Sequence, residues 1–221
     1  HVLWRQFWDA AFAGASTLLA IVLGATLGNL ILGVPLNREG YFFMALWADF
    51  TRGSDPGILN WFTTLMGVTS AAILAFHGAN YLAMKTEGQL RGQARRAAWL
   101  TGSAAVVLVG LALTAVPFVQ PAFRLNYEAH PLGYVFPLIG LAALVAALGL
   151  RKRDRDAGAF YATSLMILAM LAGTAWGSYP NILIATTDPA YSLTVTNATA
   201  GSYGMQMGLW WFFIGFGLII A

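Results

Sequence analysis

Six long segments of the chain carry no formally charged side chain, and this feature limits the possible folds more than any other. The segments cover residues 10–33, 58–84, 97–119, 131–150, 158–179 and 204–221. The first five are long enough to cross a bilayer, which takes about 20 residues of α-helix. Because they are apolar all round and do not alternate as barrel strands would, they indicate helices. We predict an all-α fold, a polytopic transmembrane helical bundle of about six spans that forms one domain over residues 1–221.

The composition agrees with burial in membrane lipid. Hydrophobic residues make up 58% of the 221 residues and charged residues 10%, whereas about 25% are charged in a typical soluble domain. The sequence has no cysteine, so disulfides and thiolate metal sites are excluded. The pI of about 9.4 does not indicate a nucleic-acid partner, because the basic residues form short clusters between apolar segments, a pattern typical of membrane orientation.

The positions of lysine and arginine predict the orientation. If the chain crosses the bilayer at each apolar segment, nine of its 12 basic residues share one side: Arg5, Lys85, Arg91, Arg95, Arg96, Arg151, Lys152, Arg153 and Arg155. The opposite side holds Arg38, Arg52 and Arg124. Since cytoplasmic loops carry the excess of basic residues, we predict a cytoplasmic N-terminus. The chain begins at His1 and is still apolar at Ala221, which predicts a fragment of a longer protein.

His77 is the only ionisable residue well inside a predicted span, about 12 Å from the basic end at 1.5 Å per residue. An imidazole at such a position is typical of a haem ligand, a proton relay or a hydrogen-bond donor to a quinone. The alternative is a neutral histidine that bonds to a neighbouring helix. We favour this alternative because His1 and His130 lie at span ends and form no obvious ligand pair with His77.

Three further polar residues are candidates for function. Asp9 lies at the mouth of the first span, where it either gives protons access or pairs with Arg5 four residues earlier. The pair is the favoured reading. Asn29 and Asn80 lie within or near spans; together with His77 they are candidates for cofactor binding, although most such asparagines form hydrogen bonds between helices.

Pairs of glycines four residues apart predict close helix packing. The pairs are Gly24 with Gly28, Gly173 with Gly177, and Gly204 with Gly208. This spacing places both glycines on one helix face and lets another helix approach closely. The alternative is the ordinary abundance of glycine in membrane helices.

The residues do not predict catalysis by this chain alone. The sequence contains no recognisable nucleophile with a base, phosphate-binding glycine loop or carboxylate cluster for a metal. We therefore predict no catalytic residue and no metal ligand. Two alternatives remain open besides a subunit of a larger enzyme: a small-solute permease whose path uses Asn29, His77 and Asn80, and a structural assembly protein.

Motifs along most of the chain resemble those of one known family. They are Leu27–Asn37, Glu39–Phe43, Pro56–Trp61 and His77–Gly88, followed by Asp188-Pro189, Ser192–Thr194 and Asn197-Ala198 in the last long loop. In this order and spacing the chain resembles subunit II of the cytochrome bd-type quinol oxidases, including the cyanide-insensitive branch. The resemblance implies a fragment that lacks the N-terminal spans of that subunit.

The resemblance also implies a function. Such oxidases reduce dioxygen to water with electrons from membrane quinol, in the cytoplasmic (inner) membrane of bacteria or archaea. The b- and d-type haems belong to subunit I, which would be the partner of this chain. Subunit II is then a helical support that contributes to proton access, and in some members it holds a structural quinone. The implied partners are subunit I, membrane lipid and membrane quinol. No cofactor is assigned to this chain itself.

Overall fold

Helices make up most of the fold. The computed structural model describes residues 2–51 and 57–220; His1, Arg52, Pro56 and Ala221, used above, lie outside the described residues. The α-helices of the described part are α1 (Val2–Leu32), α2 (Trp61–Lys85), α3 (Gly88–Val119), α4 (Pro121–Ala129), α5 (Val135–Lys152), α6 (Asp156–Ser178) and α7 (Ser202–Ile220). Short 3-10 turns lie at Pro131–Tyr134 and Pro189–Tyr191, and a small antiparallel sheet pairs β1 (Asn181–Leu183) with β2 (Leu193–Thr194). The predicted all-α class is confirmed.

Five helical segments of the described chain are long and apolar enough to cross a membrane. They are Trp4–Leu32, Trp61–Lys85, Gly88–Val119, Pro131–Lys152 and Asp156–Ser178. They coincide with the first five segments expected from the sequence, so the prediction of a polytopic helical bundle is confirmed. The sixth expected span coincides with α7, a helix of 19 residues that is not among these five.

Two helices begin earlier than the charge-free segments suggested. The helix α1 begins at Val2 and not near residue 10, and α3 begins at Gly88 and not near residue 97. Arg91, Arg95 and Arg96 therefore lie on a helix, which corrects their placement in a loop. The physical reason is that arginine, glutamine and alanine are good helix formers, so the absence of charge marks the apolar part of a helix and not its ends.

The helix α2 lies at the centre of the bundle and packs against α1, α3 and α6, while α5 and α6 form a second antiparallel pair. The main core contains large side chains from α2 and α6, Phe76 and Met166, surrounded by alanines from α3 and α5. Alanine at these contacts lets the helix backbones approach closely, which is how helices associate in a membrane. The helices α3 and α5 contact each other little and leave a seam between them.

Side-chain caps fix the helix ends opposite the basic loops. Asn60 is the N-cap of α2: its Oδ1 accepts hydrogen bonds from the backbone N–H groups of Phe62 and Thr63, while Thr63 Oγ1 accepts one from the Asn60 N–H at 2.9 Å. The Gln120 side chain donates to the carbonyls of Ile31 and Leu32. These bonds satisfy backbone groups that a helix end leaves unpaired.

The long loops pack together at this same end. Val34 and Ala185 form a parallel bridge, with the Val34 N–H donating to the Ile184 carbonyl at 2.9 Å. Gly33 has φ +87°, and a Cβ there would lie 2.6 Å from the Ile184 carbonyl oxygen, so both its conformation and its close contact require glycine. In the aromatic stretch that follows, Phe43 is 88% exposed.

Candidate functional site: an arginine cluster at the basic end

The most highly connected polar group of the described chain is the carboxylate of Asp156, in the first turn of α6. It accepts hydrogen bonds from two arginines of α3: Arg91 donates through Nε at 2.8 Å and Nη2 at 2.5 Å, and Arg95 through Nε at 3.1 Å and Nη2 at 2.8 Å. Arg95 also pairs with Asp154 at 2.5 Å. A carboxylate in the first turn is additionally stabilised by the positive end of the helix dipole.

A third arginine joins this group from α5. Arg151 Nη2 donates to Asp156 Oδ1 at 3.0 Å, and Arg151 Nη1 donates to Asn80 Oδ1 of α2 at 2.8 Å. We use the name arginine cluster for Arg91, Arg95, Arg151, Asp156 and Asn80. Because its members come from α2, α3, α5 and α6, the cluster ties together one end of four helices.

The arginine cluster contains buried charges, and burying a charge costs free energy. Arg151 is 3% exposed and Asp156 is 5% exposed, and Arg151 Nε is buried without a hydrogen-bond partner. A buried charge is tolerated only if it is paired, and removing one partner leaves the other uncompensated. The cluster therefore depends on Asp156, which is its only carboxylate.

A tight turn between α5 and α6 brings Asp156 to Arg151. Asp154 has φ 56°, in the left-handed region that aspartate and asparagine tolerate better than most residues. The N–H groups of Asp154 and Arg155 donate to carbonyls of the last turn of α5. The sequence pattern of these basic residues indicated only the orientation of the chain and did not predict the cluster. The available signal was an isolated pair of aspartates inside a basic run.

His77 lies deeper in the bundle, one helical turn before Asn80. Its Nδ1 is 2.8 Å from Thr163 Oγ1 of α6, and its ring stacks on Phe160 with centroids 4.8 Å apart. The Thr163 hydroxyl already donates to the Phe160 carbonyl at 2.8 Å. A hydroxyl has one proton, so Thr163 Oγ1 accepts and His77 Nδ1 carries the hydrogen. The geometry is that of a histidine bonded to a neighbouring helix.

The other polar candidates do not join His77 in one site. Asn29 lies at the opposite end, where its Nδ2 donates to the carbonyls of Ala25 and Ile58, both at 3.0 Å, and its Oδ1 has no partner. Asp9 is exposed on α1 and lies 3.9 Å from Arg5 Nε. Only Asn80 belongs to the arginine cluster. In the described residues, Asn29, His77 and Asn80 therefore do not line one continuous path for a permease.

The glycine pairs differ in what they face. A Cβ on Gly24 or Gly28 would meet α2, at 2.4 Å from Ser70 Cβ and 3.0 Å from Thr63 Cα respectively. A Cβ on Gly173 or Gly177 would meet side chains of α4, Tyr127 and Phe123.

The four-residue spacing does not by itself predict which glycines lie at close helix contacts. A Cβ on Gly208 would meet nothing within 4 Å, and one on Gly204 only its neighbour Ala200. Gly67 of α2, where a Cβ would lie 2.8 Å from the Ile21 carbonyl oxygen, was overlooked because it has no glycine partner four residues away.

An apolar groove of about 390 Å³ lies in the outer half of the seam between α3 and α5. Its lining includes Val109 and Pro117 of α3, Leu141 of α5 and Met170 of α6. Tyr127 closes one end and donates to the Gly173 carbonyl at 2.6 Å. Burial, followed by the nearby Tyr134, raises the pKa of the Tyr127 phenol, so it remains a donor at neutral pH.

The described residues hold no group of three or more histidine, cysteine, aspartate or glutamate side chains placed to bind a metal ion. His77 lies beside Thr163 of α6, and His130 lies beside Trp176, 13 residues further along α6, or about 20 Å at 1.5 Å per residue. The two described histidines are therefore too far apart to bind one haem iron together.

Fold and site together define a multi-pass helical membrane protein whose helices are tied at the basic end by buried charges. The sequence model of the family described as "Cytochrome bd terminal oxidase subunit II" matches residues 1–221. The chain belongs to this family, which confirms the resemblance described above. The match does not favour the small-solute permease.

Curated relatives from several bacteria agree with the family match. The chain is 26% identical over 231 residues to "Probable cytochrome oxidase subunit 2" of Haemophilus influenzae, covering 93% of the chain and 60% of the relative. It is 26% identical to "Cytochrome bd-I ubiquinol oxidase subunit 2" of Escherichia coli, covering 94% and 60%. It is 27% identical to "Cytochrome bd ubiquinol oxidase subunit 2" of Bacillus subtilis, covering 94% and 58%. The chain thus spans about three fifths of the length of these relatives.

Proposed function

We propose that the chain is part of subunit II of a membrane-bound cytochrome bd-type quinol:oxygen oxidoreductase. In this complex, quinol is oxidised and dioxygen is reduced to water as part of aerobic respiration. The observation that carries the proposal is the family match over residues 1–221. The b- and d-type haems belong to subunit I, and this chain supports that subunit without being catalytic alone.

Unpartnered apolar helices support a role within a complex. The first half of α1 exposes large aromatic residues, among them Trp4 and Trp8 at 65% and 62%. Side chains along α7 are exposed as well, including Trp210 and Trp211. Both surfaces suit lipid or the helices of a partner, and Asp9 lies on the first of them. Asp9, which also lies 3.9 Å from Arg5 Nε, is the proposed proton-access residue at the contact with subunit I.

The proposed location is the bacterial cytoplasmic membrane, with the basic end of the bundle in the cytoplasm. The positive-inside rule supports this orientation. The arginine cluster supports placing this end of the bundle at a membrane surface, because a buried set of charges is less costly next to water than at the centre of the bilayer.

Co-purification tests the proposal. A tagged full-length subunit that contains this sequence should purify with a haem-bearing, multi-span partner, and quinol-dependent oxygen consumption should require both chains. The preparation without the partner gene is the control and should show no haem absorption and no oxidase activity. The proposal would be contradicted if the tagged subunit purified in folded form without haem and without such a partner. Solute flux into liposomes from this chain alone would contradict it as well.

Replacing His77 by glutamine should leave the haem absorption bands of the complex intact, because the role that we propose for His77 is its hydrogen bond from α2 to Thr163 of α6. The loss of one hydrogen bond should cost about 1 kcal/mol of stability. Reduced-minus-oxidised absorption spectra of the purified complex measure the outcome, and His130→Gln, at the opposite end, is the matched control. A haem band lost only in His77→Gln would show that His77 is a ligand.

A further inference from the structure

The seam between α3 and α5 presents an aromatic ring and two cations at the basic end. The Lys152 ammonium lies 6.0 Å from the centroid of the Trp99 ring, so the last turn of α5 reaches across the seam to α3. Trp99 is 37% exposed, and Lys152 is exposed. Arg96, also exposed, precedes Trp99 by three residues and so lies on the same side of α3.

The charge at this end is unbalanced. This end holds nine basic residues (Arg5, Lys85, Arg91, Arg95, Arg96, Arg151, Lys152, Arg153 and Arg155) and four acidic residues (Asp9, Glu87, Asp154 and Asp156). The ion pairs of Arg91, Arg95 and Arg151 use Asp154 and Asp156. In the described part of the chain, neither Arg96 nor Lys152 lies within 4.0 Å of a carboxylate. These two cations are therefore available to an anion from outside the chain.

The surroundings of Arg96 and Lys152 favour an amphiphilic anion. Tryptophan prefers the headgroup region of a membrane, where its ring meets both lipid and water. Further along the same two helix faces, Val106 of α3, seven residues after Trp99, is 42% exposed, and Val145 of α5, seven residues before Lys152, is 68% exposed. A ligand with a phosphate at Arg96 and Lys152 would place its acyl chains along these side chains.

We propose that Arg96, Trp99 and Lys152 form a binding site for the phosphodiester headgroup of an anionic phospholipid at the seam between α3 and α5. Basic pockets between helices bind such headgroups through lysine and arginine. A zwitterionic lipid is a poorer ligand because its own ammonium group is repelled by the excess positive charge. The bound lipid contacts both α3 and α5, and so bridges the two helix pairs.

Arg153 and Arg155 provide a matched control. Both are exposed and belong to the same basic turn, and neither has a recorded contact with a tryptophan ring. Replacing either pair with glutamine removes two positive charges from the same end of the bundle. General attraction to an anionic membrane would respond equally to both changes, whereas the proposed site responds only to Arg96 and Lys152.

Native mass spectrometry of the purified full-length complex, titrated with phosphatidylglycerol, tests the site. The double variant Arg96→Gln with Lys152→Gln should weaken binding about thirtyfold, given the contribution of each basic residue near an anionic surface. Arg153→Gln with Arg155→Gln should change binding by less than about threefold. Trp99→Leu should also weaken binding without changing the charge. Phosphatidylethanolamine should bind weakly to every form.

Several outcomes would overturn the proposal. If the two double variants lost phosphatidylglycerol binding equally, or if Trp99→Leu bound it unchanged, the effect would be general electrostatic attraction and not a specific site. Displacement of bound phosphatidylglycerol by millimolar inorganic phosphate would show a site for free phosphate and not for a lipid. If the double variant does not assemble, the single variant Lys152→Gln keeps the test decisive, because it changes only one exposed side chain. It should also weaken phosphatidylglycerol binding, but by less than the double variant.

Discussion

Replacing Asp156 by asparagine is expected to destabilise the protein by about 3–5 kcal/mol, the usual cost of leaving a buried charge without its partner. The carboxylate receives hydrogen bonds from Arg91, Arg95 and Arg151. Without its charge, three guanidinium groups would share one neutral amide, and Arg151, which is 3% exposed, would stay buried. Asparagine keeps the shape of the side chain, so the effect reports charge and not packing.

The measurement is the temperature at which full-length protein in detergent loses its monodisperse peak in fluorescence-detected size exclusion. Asp154→Asn is the matched control, because Asp154 pairs only with Arg95 and its side chain is 73% exposed. An exposed pair contributes about 0–1 kcal/mol, so this variant should melt close to the unmodified protein. Similar losses in both variants would show that the arginine cluster does not stabilise the bundle through its buried charge.

The membrane-spanning architecture was readable from the sequence because one physical rule controls it. Each charged residue in the bilayer centre is costly, so long charge-free segments indicate where the helices lie. The rule does not fix the helix ends. The backbone of α3 continues from the apolar part through Arg96, Arg95 and Arg91 to Gly88, because helix propensity and membrane hydropathy are different properties.

The arginine cluster could not be read from the sequence in the same way. Arg91 and Asp156 are separated by 65 positions, and Arg151 and Asn80 by 71. No periodicity links residues so far apart, and their pairing follows from how α2, α3, α5 and α6 pack. The sequence marked Asn80 as a polar candidate, either for cofactor binding or for a hydrogen bond between helices. It could not supply the partner, which is a buried arginine and not another amide.

Glycine spacing was a partial guide to helix packing. The pair Gly24 and Gly28 faces α2, whereas Gly204 and Gly208 face no neighbouring helix in the described chain. The same spacing therefore marks a close contact in one helix and an open surface in another. What distinguishes them is the neighbour, and this depends on the tertiary arrangement. Gly67, on the facing side of the α1–α2 contact, is a lone glycine in the sequence.

The second large effect is expected for Gly24→Leu, at the point where α1 and α2 approach most closely. A Cβ at residue 24 would lie 2.4 Å from Ser70 Cβ, 2.5 Å from the Met66 carbonyl oxygen and 2.8 Å from Gly67 Cα. Two of these atoms belong to the backbone and cannot rotate away, so the helices must separate. Overpacking of this kind costs about 1–3 kcal/mol, and a leucine adds further atoms beyond the Cβ.

Gly14→Leu is the matched control, because it makes the same change on the same helix where a Cβ would meet nothing within 4 Å. Fluorescence-detected size exclusion after stepwise heating should show early loss of the folded peak for Gly24→Leu and little change for Gly14→Leu. Gly24→Ala should give an intermediate result, since the Cβ alone already meets the backbone of α2. If leucine at residue 24 were as harmless as at residue 14, the tight α1–α2 contact would not contribute to the stability of the bundle. The order in which the leucine, alanine and glycine forms at residue 24 lose the folded peak on heating is therefore a direct measure of how closely these two helices pack.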